Sequence, residues 1–410
     1  GPSVLAVDIG SANSTLAAAV DGHVTTSIRT DIGLGHSARS LIDAVGYEAV
    51  RAWLPFQITD SEILTYALNK TLRPATIPET LRELYLEHAL LRAALRGMLL
   101  AARPVWRATT LDDADDDLLP FQRIIGAGGG ITGTGRPGMT ALLLLDTLQP
   151  VGVTRLQSDP YALIPALGAV ARISPEAVVQ VLDSGNLEEL GTCINLSGNS
   201  RTSGDTIAQV TITRAGEPAE THTIRSGQLW LYPLPQGVRA QLDVRVTGRG
   251  FSIDGKSRLK LNVVGGTAGL IIVGRGRPLP LATTPRALAE QMPAWYAQAT
   301  GDPVRAIPEV WLTAPVIAVP ADDPAEPAAA RRRRGLLRRR ARQAAAPALD
   351  SVPPLPDVDS GAAAESEGRG RRRRRRRDRQ DAPPAAAPAP LKDKQADEIG
   401  DVDDLRELLS

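Results

Sequence analysis

Two apolar runs, residues 4–9 and 15–20, flank Gly10-Ser11-Ala12-Asn13-Ser14 and predict a β-hairpin with a polar, glycine-led turn. Val24-Thr25-Thr26-Ser27-Ile28 reads as a third strand. Across residues 37–52, Leu41, Ile42, Val45 and Val50 fall at helical spacing. Thr59-Asp60-Ser61-Glu62 is a helix start, and Pro74 and Pro78 lie past the end of that helix. Leu81, Leu84, Leu86, Leu90, Leu91, Leu95 and Leu99 mark the buried stripe of the longest helix, residues 80–102. An acidic loop is expected at 111–119. Ile124-Ile125 is a short buried strand that breaks into Gly126-Ala127-Gly128-Gly129-Gly130. A helix over 138–148 and a strand over 151–156 follow. Asp159-Pro160 and Ser174-Pro175-Glu176 each place a capping side chain before a first-turn proline, opening helices at 161–171 and 177–182.

After Gly185 the period shortens to two. Strands are expected at 207–213, 220–224, 229–234, 240–246, 259–264 and 270–273, separated by turns at Ala215-Gly216, Gln236-Gly237 and Gly265-Gly266. This predicts a small all-β domain over 186–280, a sandwich or barrel. A short helix near 285–299 and a connecting segment occupy 281–320. From 321 to 410 the chain is rich in Ala, Pro, Arg and Asp, with few large apolar residues, and is expected to be disordered. Ile399, Val402, Leu405, Leu408 and Leu409 line one helical face at its end, suited to folding on a partner.

Composition sharpens this picture in three ways. Only 3% of residues are aromatic, so the core must come from Leu, Val, Ile and Ala. A single cysteine, Cys193, excludes an intramolecular disulfide framework and fits a reducing cytoplasm. The net charge of +1 hides an asymmetry: arginine concentrates in the last quarter, leaving the rest acidic. No apolar run is long enough to span a bilayer.

The chemistry concentrates in two segments. In the hairpin turn, Gly10 lets backbone approach a ligand closely, while Ser11, Asn13 and Ser14 offer hydroxyl or amide groups to phosphate. Asp8 can hold the water shell of Mg²⁺, which takes few carboxylates and many waters. An ordinary polar hairpin would look the same in isolation. The segment Gly126, Gly128, Gly129 and Gly130 can pass flat under a base or ribose, although a flexible loop is the plainer reading. It has neither the helix start and acidic residue of a dinucleotide fingerprint nor the Gly-Lys-Ser/Thr of a Walker loop. His23, His36, His88 and His222 show no metal-ligand spacing and read as structural. Cys193 reads as an inert thiol. The runs 331–334, 338–340 and 371–377 are arginine only, without aromatics to stack bases, so they suit non-specific anionic partners: nucleic acid, lipid headgroups or an acidic protein.

An acidic hairpin, a helical excursion, a strand ending in glycines and a closing helix together resemble the second half of an actin-like ATPase. Within that superfamily the chain is most similar to the GlmL family, also written MutL, encoded beside cobalamin-dependent glutamate mutase. Asp8-Ile9-Gly10-Ser11-Ala12-Asn13-Ser14 resembles the second phosphate motif, and Thr30-Asp31-Ile32-Gly33-Leu34-Gly35 the Asp-Leu-Gly segment after it. Gly126 to Gly130 resembles the adenosine motif. Asp159-Pro160-Tyr161 through Ala171 resembles the closing helix. The resemblance implies an α/β fold: a ribonuclease-H-like, actin-type ATPase lobe over 1–185, followed by the all-β domain and the disordered tail. It implies ATP with Mg²⁺ as cofactor, held by Asp8, Gly10, Ser11, Asn13 and Ser14 at the phosphates and by Gly126, Gly128, Gly129 and Gly130 at the adenosine. It implies a chaperone or reactivase role toward a cobalamin-dependent mutase, with weak ATPase activity at most; a non-catalytic scaffold is the alternative. Relatives commonly carry Asp where this chain has Thr15, which points to slow or absent hydrolysis. The facing lobe, with the first phosphate motif, is expected to be lacking from the chain. Assigning Asp8 to the first motif and Asp31 to the second is disfavoured, because the two lie too close for a lobe between them.

Overall fold

A computed structural model describes residues 3–109, 121–198 and 204–313. The acidic loop and the Arg-rich segment with its terminal helical pattern lie outside the described residues.

The chain opens with β1 (Val4–Ile9), β2 (Ser14–Val20) and β3 (His23–Arg29), an antiparallel meander. Helices α1 (Ala38–Val45), α2 (Tyr47–Arg51), α3 (Asp60–Leu72) and α4 (Leu81–Thr109) follow. Residues 37–52, expected as one helix, are split by Gly46, whose φ of 83° ends α1. The start of α3 is a capping box in which Thr59 and Glu62 satisfy each other's backbone N–H. β4 (Arg123–Ala127) then adds parallel to β1, and β5 (Gly152–Asp159) parallel to β4; between them come α5 (Gly129–Thr132) and α6 (Pro137–Leu148).

Helices α7 (Leu163–Val170) and α8 (Pro175–Asp183) follow β5. Asp159 is the last residue of β5 rather than a helix cap by position. Its carboxylate nevertheless accepts the N–H groups of Leu163 and Ile164, each at 2.8 Å, while Ala162 makes the turn at φ 53°.

The expected strands of the second half are present: β7 (Thr206–Arg214), β8 (Glu220–Arg225), β9 (Leu229–Tyr232), β10 (Arg239–Val246), β11 (Arg258–Val264) and β12 (Gly269–Val273). β6 (Glu188–Asn195) precedes them, and α9 (Pro285–Thr300) follows. They do not all lie in one sheet. β6, β12 and β9 extend the first sheet to eight strands, in the order β3-β2-β1-β4-β5-β6-β12-β9. β11, β10, β7 and β8 form a separate four-stranded sheet.

β6 and β12 are therefore buried on both faces. Cys193 and Ile271 join the core beneath the helices, while Ile194 and Ile272 join the core shared with Val210, Ile212 and Val244 of the second sheet. The described residues form one compact unit. The whole is a mixed α/β fold, and no helix among the described residues is long and apolar enough to cross a membrane.

At its centre lies a buried ion cluster. Asp146 of α6 receives Nε and Nη2 of Arg92 at 2.9 and 2.7 Å, and Nη1 of Arg275 at 2.6 Å. All three side chains are fully buried. Arg277, also buried, donates to the carbonyls of Leu145, Pro150 and Gly276.

Candidate functional site

The parallel order of β1, β4 and β5 places three strand ends side by side, with Asp8 opposite Ala127 and Ala127 opposite Asp159. The carboxyl ends of parallel strands are where α/β sheets commonly hold ligands. The turn after β1 is tight: the Gly10 N–H donates to the Asn13 carbonyl at 3.0 Å. A Cβ on Gly10 would meet that same oxygen at 2.7 Å, so glycine is required there. Residues 33–37 are stitched to this turn. Leu34 N–H donates to Gly10, and Gly35 and Ser37 N–H donate to the Ser11 carbonyl. The Ser11 hydroxyl accepts from the His36 N–H at 3.2 Å. Its own proton and the N–H groups of Ser11 and Ala12 are left without an acceptor among the described residues. The Asp31 segment thus belongs to the same wall as Asp8. Asp31 itself is turned to Arg29, whose guanidinium holds its carboxyl below the usual range.

The glycine segment is ordered by the same strand ends. Gly128, at φ 87°, sits where a Cβ would lie 2.2 Å from the Ile9 carbonyl and 2.6 Å from Asp8 Oδ1. Gly126 faces inward against Ile131 and Leu144, and Gly130 against Leu34. Gly129 faces open space.

A cleft of about 430 Å³ opens here, and Gly10, Ser11, Gly35, Gly129 and Gly130 line it. Residues 118 positions apart in sequence, Ser11 and Gly129, share one wall system. Of the other expected site residues, Asp8 and Gly128 lie directly beneath this wall and Gly126 lies in the core. Asn13 is exposed on the turn. Ser14 is fully buried, with its hydroxyl donated to the Ile32 carbonyl at 2.9 Å.

The far wall holds groups that sequence reasoning missed: Lys70, Glu87 and His88. Lys70 Nζ pairs with Glu87 at 2.9 Å and donates to the Thr76 carbonyl at 2.7 Å. Tyr66 donates to the other Glu87 oxygen at 2.8 Å. Lys70 is only 5% exposed. A lysine so buried in the last turn of α3 is a fixed charge at the cleft edge, not a solvated helix end. His88 is held neutral: burial, aided by Arg92, pushes its pKa down to about 3. Arg92 Nη1 donates to the Tyr296 hydroxyl at 3.1 Å, and the same hydroxyl is hydrogen-bonded to His88 Nδ1 at 2.9 Å.

The Asp8 carboxylate is half-buried and accepts no hydrogen bond among the described residues. Burial raises its pKa, and the neighbouring Asp159 carboxylate raises it further. Such a group gains from a nearby cation. Thr15 stands directly opposite Asp8 on β2 and supplies no second carboxylate. Cys193 is buried, its thiol pushed up to about 12 by loss of solvent, which makes it inert as expected. No cluster of His, Cys, Asp or Glu with metal-binding geometry occurs among the described residues.

Residues 2–185 match the model of a protein family described as MutL protein. No curated protein matches the chain.

Proposed function

We propose that the chain, whose residues 2–185 match the MutL family model, is a nucleotide-binding accessory protein of a cobalamin-dependent glutamate mutase. The observation that carries this reading is the shared cleft. The Gly10–Ser11 turn and the Gly129–Gly130 segment meet at the carboxyl ends of adjacent parallel strands, with unpaired N–H groups on one and open backbone on the other. The strand order β3-β2-β1-β4-β5 within residues 4–159 suits the ribonuclease-H-like lobe of an actin-like ATPase. In this reading, Ser11 and the turn amides hold phosphate, and Gly129 and Gly130 lie along the nucleoside.

Asp8 would hold Mg²⁺ through water. The fit is chemical: an unpartnered carboxylate whose charge is disfavoured by burial and by Asp159 is stabilised by a hydrated cation. Bound Mg²⁺ supplies charge neutralisation for the phosphates. Thr15 opposite Asp8 favours binding with slow or no hydrolysis, so nucleotide would act by changing the partner-binding form of the protein.

The test is titration of the full chain with a fluorescent ATP analogue, with and without Mg²⁺, in the parent and in Asp8→Asn. Binding in the micromolar range, dependent on Mg²⁺ and lost in the variant, is expected. Because the folded protein raises the Asp8 pKa, its charged form costs stability at neutral pH. Asp8→Asn should therefore also raise the melting temperature of the nucleotide-free protein. Absence of micromolar binding in the parent would leave only the scaffold role, and unchanged binding in Asp8→Asn would displace Asp8 from the site.

A further inference from the structure

Behind the cleft lies a second cavity, of about 170 Å³, between α4, α6, α9 and residues 302–305. Leu81, Leu84, Tyr85, Met139, Pro293 and Tyr296 line it. The Tyr85 and Tyr296 rings are stacked, with centroids 4.7 Å apart at 26°. The two rings cover each other's faces and Tyr296 is pinned by Arg92 and His88, so this wall is aromatic and preformed and is met by an incoming ring edge-to-face. A planar apolar group suits it.

The rim is cationic. Arg136, Arg305 and Asp302 stand around the mouth. Arg136 and Asp302 are 3.6 Å apart, both partly solvated. Arg305 is exposed and makes no ion pair among the described residues. Two guanidiniums thus stand beside a single carboxylate, which pairs with Arg136 alone, and one positive charge is in surplus where the cavity opens. A purely apolar ligand would leave that charge unused; a small inorganic anion would leave the aromatic wall bare.

We propose that this cavity binds a small aromatic carboxylate, its ring packed among Leu81, Leu84, Met139 and Pro293 and edge-to-face on the Tyr85–Tyr296 pair, and its carboxylate on Arg305 and Arg136. The site is separate from whatever the cleft binds, although Leu84, His88 and Thr134 belong to both walls.

The probes are benzoate and its neutral isostere benzamide, titrated into the full chain by calorimetry and by ligand-observed NMR in chloride buffer. Benzoate should bind saturably, about tenfold more tightly than benzamide, the ratio a single partly desolvated charge pair of ~1.4 kcal/mol supplies. Arg305→Gln should bring benzoate down to the benzamide level. Ala297→Phe, on a residue that lines the cavity, should abolish binding of both. If Ala297→Phe does not fold, Arg305→Gln still decides, because it alters only an exposed side chain. Equal affinity for the two probes, benzoate binding untouched by Arg305→Gln, retained binding in a folded Ala297→Phe, or no saturable binding would each overturn the proposal.

Discussion

Replacing Asp146 by Ala removes the one carboxylate that Arg92 and Arg275 share, at distances of 2.6 to 2.9 Å, where none of the three side chains reaches solvent. Arg275 is already short of partners: Nε and Nη2 find no acceptor among the described residues, and the Trp295 ring at 4.5 Å covers its guanidinium. After the substitution it keeps only that ring, and Arg92 keeps only Tyr296 and the more distant Trp53 face. Breaking one buried pair by removing one partner costs about 3–5 kcal/mol. Here two cations lose the same anion, so the loss should sit near or above about 5 kcal/mol. With a urea m-value of about 3 kcal/mol/M for a unit of this size, the midpoint falls by about 1.5 M or more. Equilibrium urea unfolding followed by circular dichroism and tryptophan fluorescence measures it. The triple replacement Arg92→Met, Asp146→Leu, Arg275→Met should recover most of the loss, because a buried ion cluster exchanged for apolar side chains of similar volume is often neutral. A loss below about 1 kcal/mol for Asp146→Ala would mean that water reaches these guanidiniums, and the picture of a sealed ion cluster would fail.

Two further outcomes follow from the same geometry. Gly128→Ala forces a Cβ into the Ile9 carbonyl at a backbone φ of 87°, so it should cost about 2 kcal/mol or more in thermal or urea unfolding and lower analogue affinity by displacing the end of β1; an unchanged midpoint would refute the close packing of β1 on Gly128. His88 has a folded pKa of about 3, below its ordinary value, so between pH 6.5 and 3 the unfolded chain binds a proton that the folded chain does not. Its contribution is therefore complete above about pH 6.5 and lost as pH falls, by about 2 kcal/mol at pH 5. His88→Gln should flatten the stability profile in that window, and an unchanged slope would place the imidazole in solvent.

Local signals in the sequence were enough for the hairpin, the glycine segment and the alternating strands, because each is written in neighbouring residues. β6 escaped for a physical reason. Glu188–Asn195 is buried on both faces, so it shows no alternation to read, and Gly191 sits in it with a backbone that admits no Cβ beside the Gly269 carbonyl. That missed strand is also why residues 186–280 read as a domain apart: β6 carries the first sheet across to β12 and β9. The far wall of the cleft was illegible for another reason. Lys70 in the last turn of a helix looks like any cation complementing the helix dipole, and only the fold seals it against Glu87. The ion cluster, by contrast, did leave a trace. Asp146 interrupts Leu142-Leu143-Leu144-Leu145 and Leu148, and Arg92 follows Leu90-Leu91 within the buried stripe of α4. An acid in an all-apolar helix face must meet a buried cation, since an unpaired charge there is too costly to keep. The same reasoning joins the two halves of the unit: the cation that completes Asp146 is Arg275, 129 residues away and just beyond β12. The second half is thus tied to the first by charge as well as by the sheet.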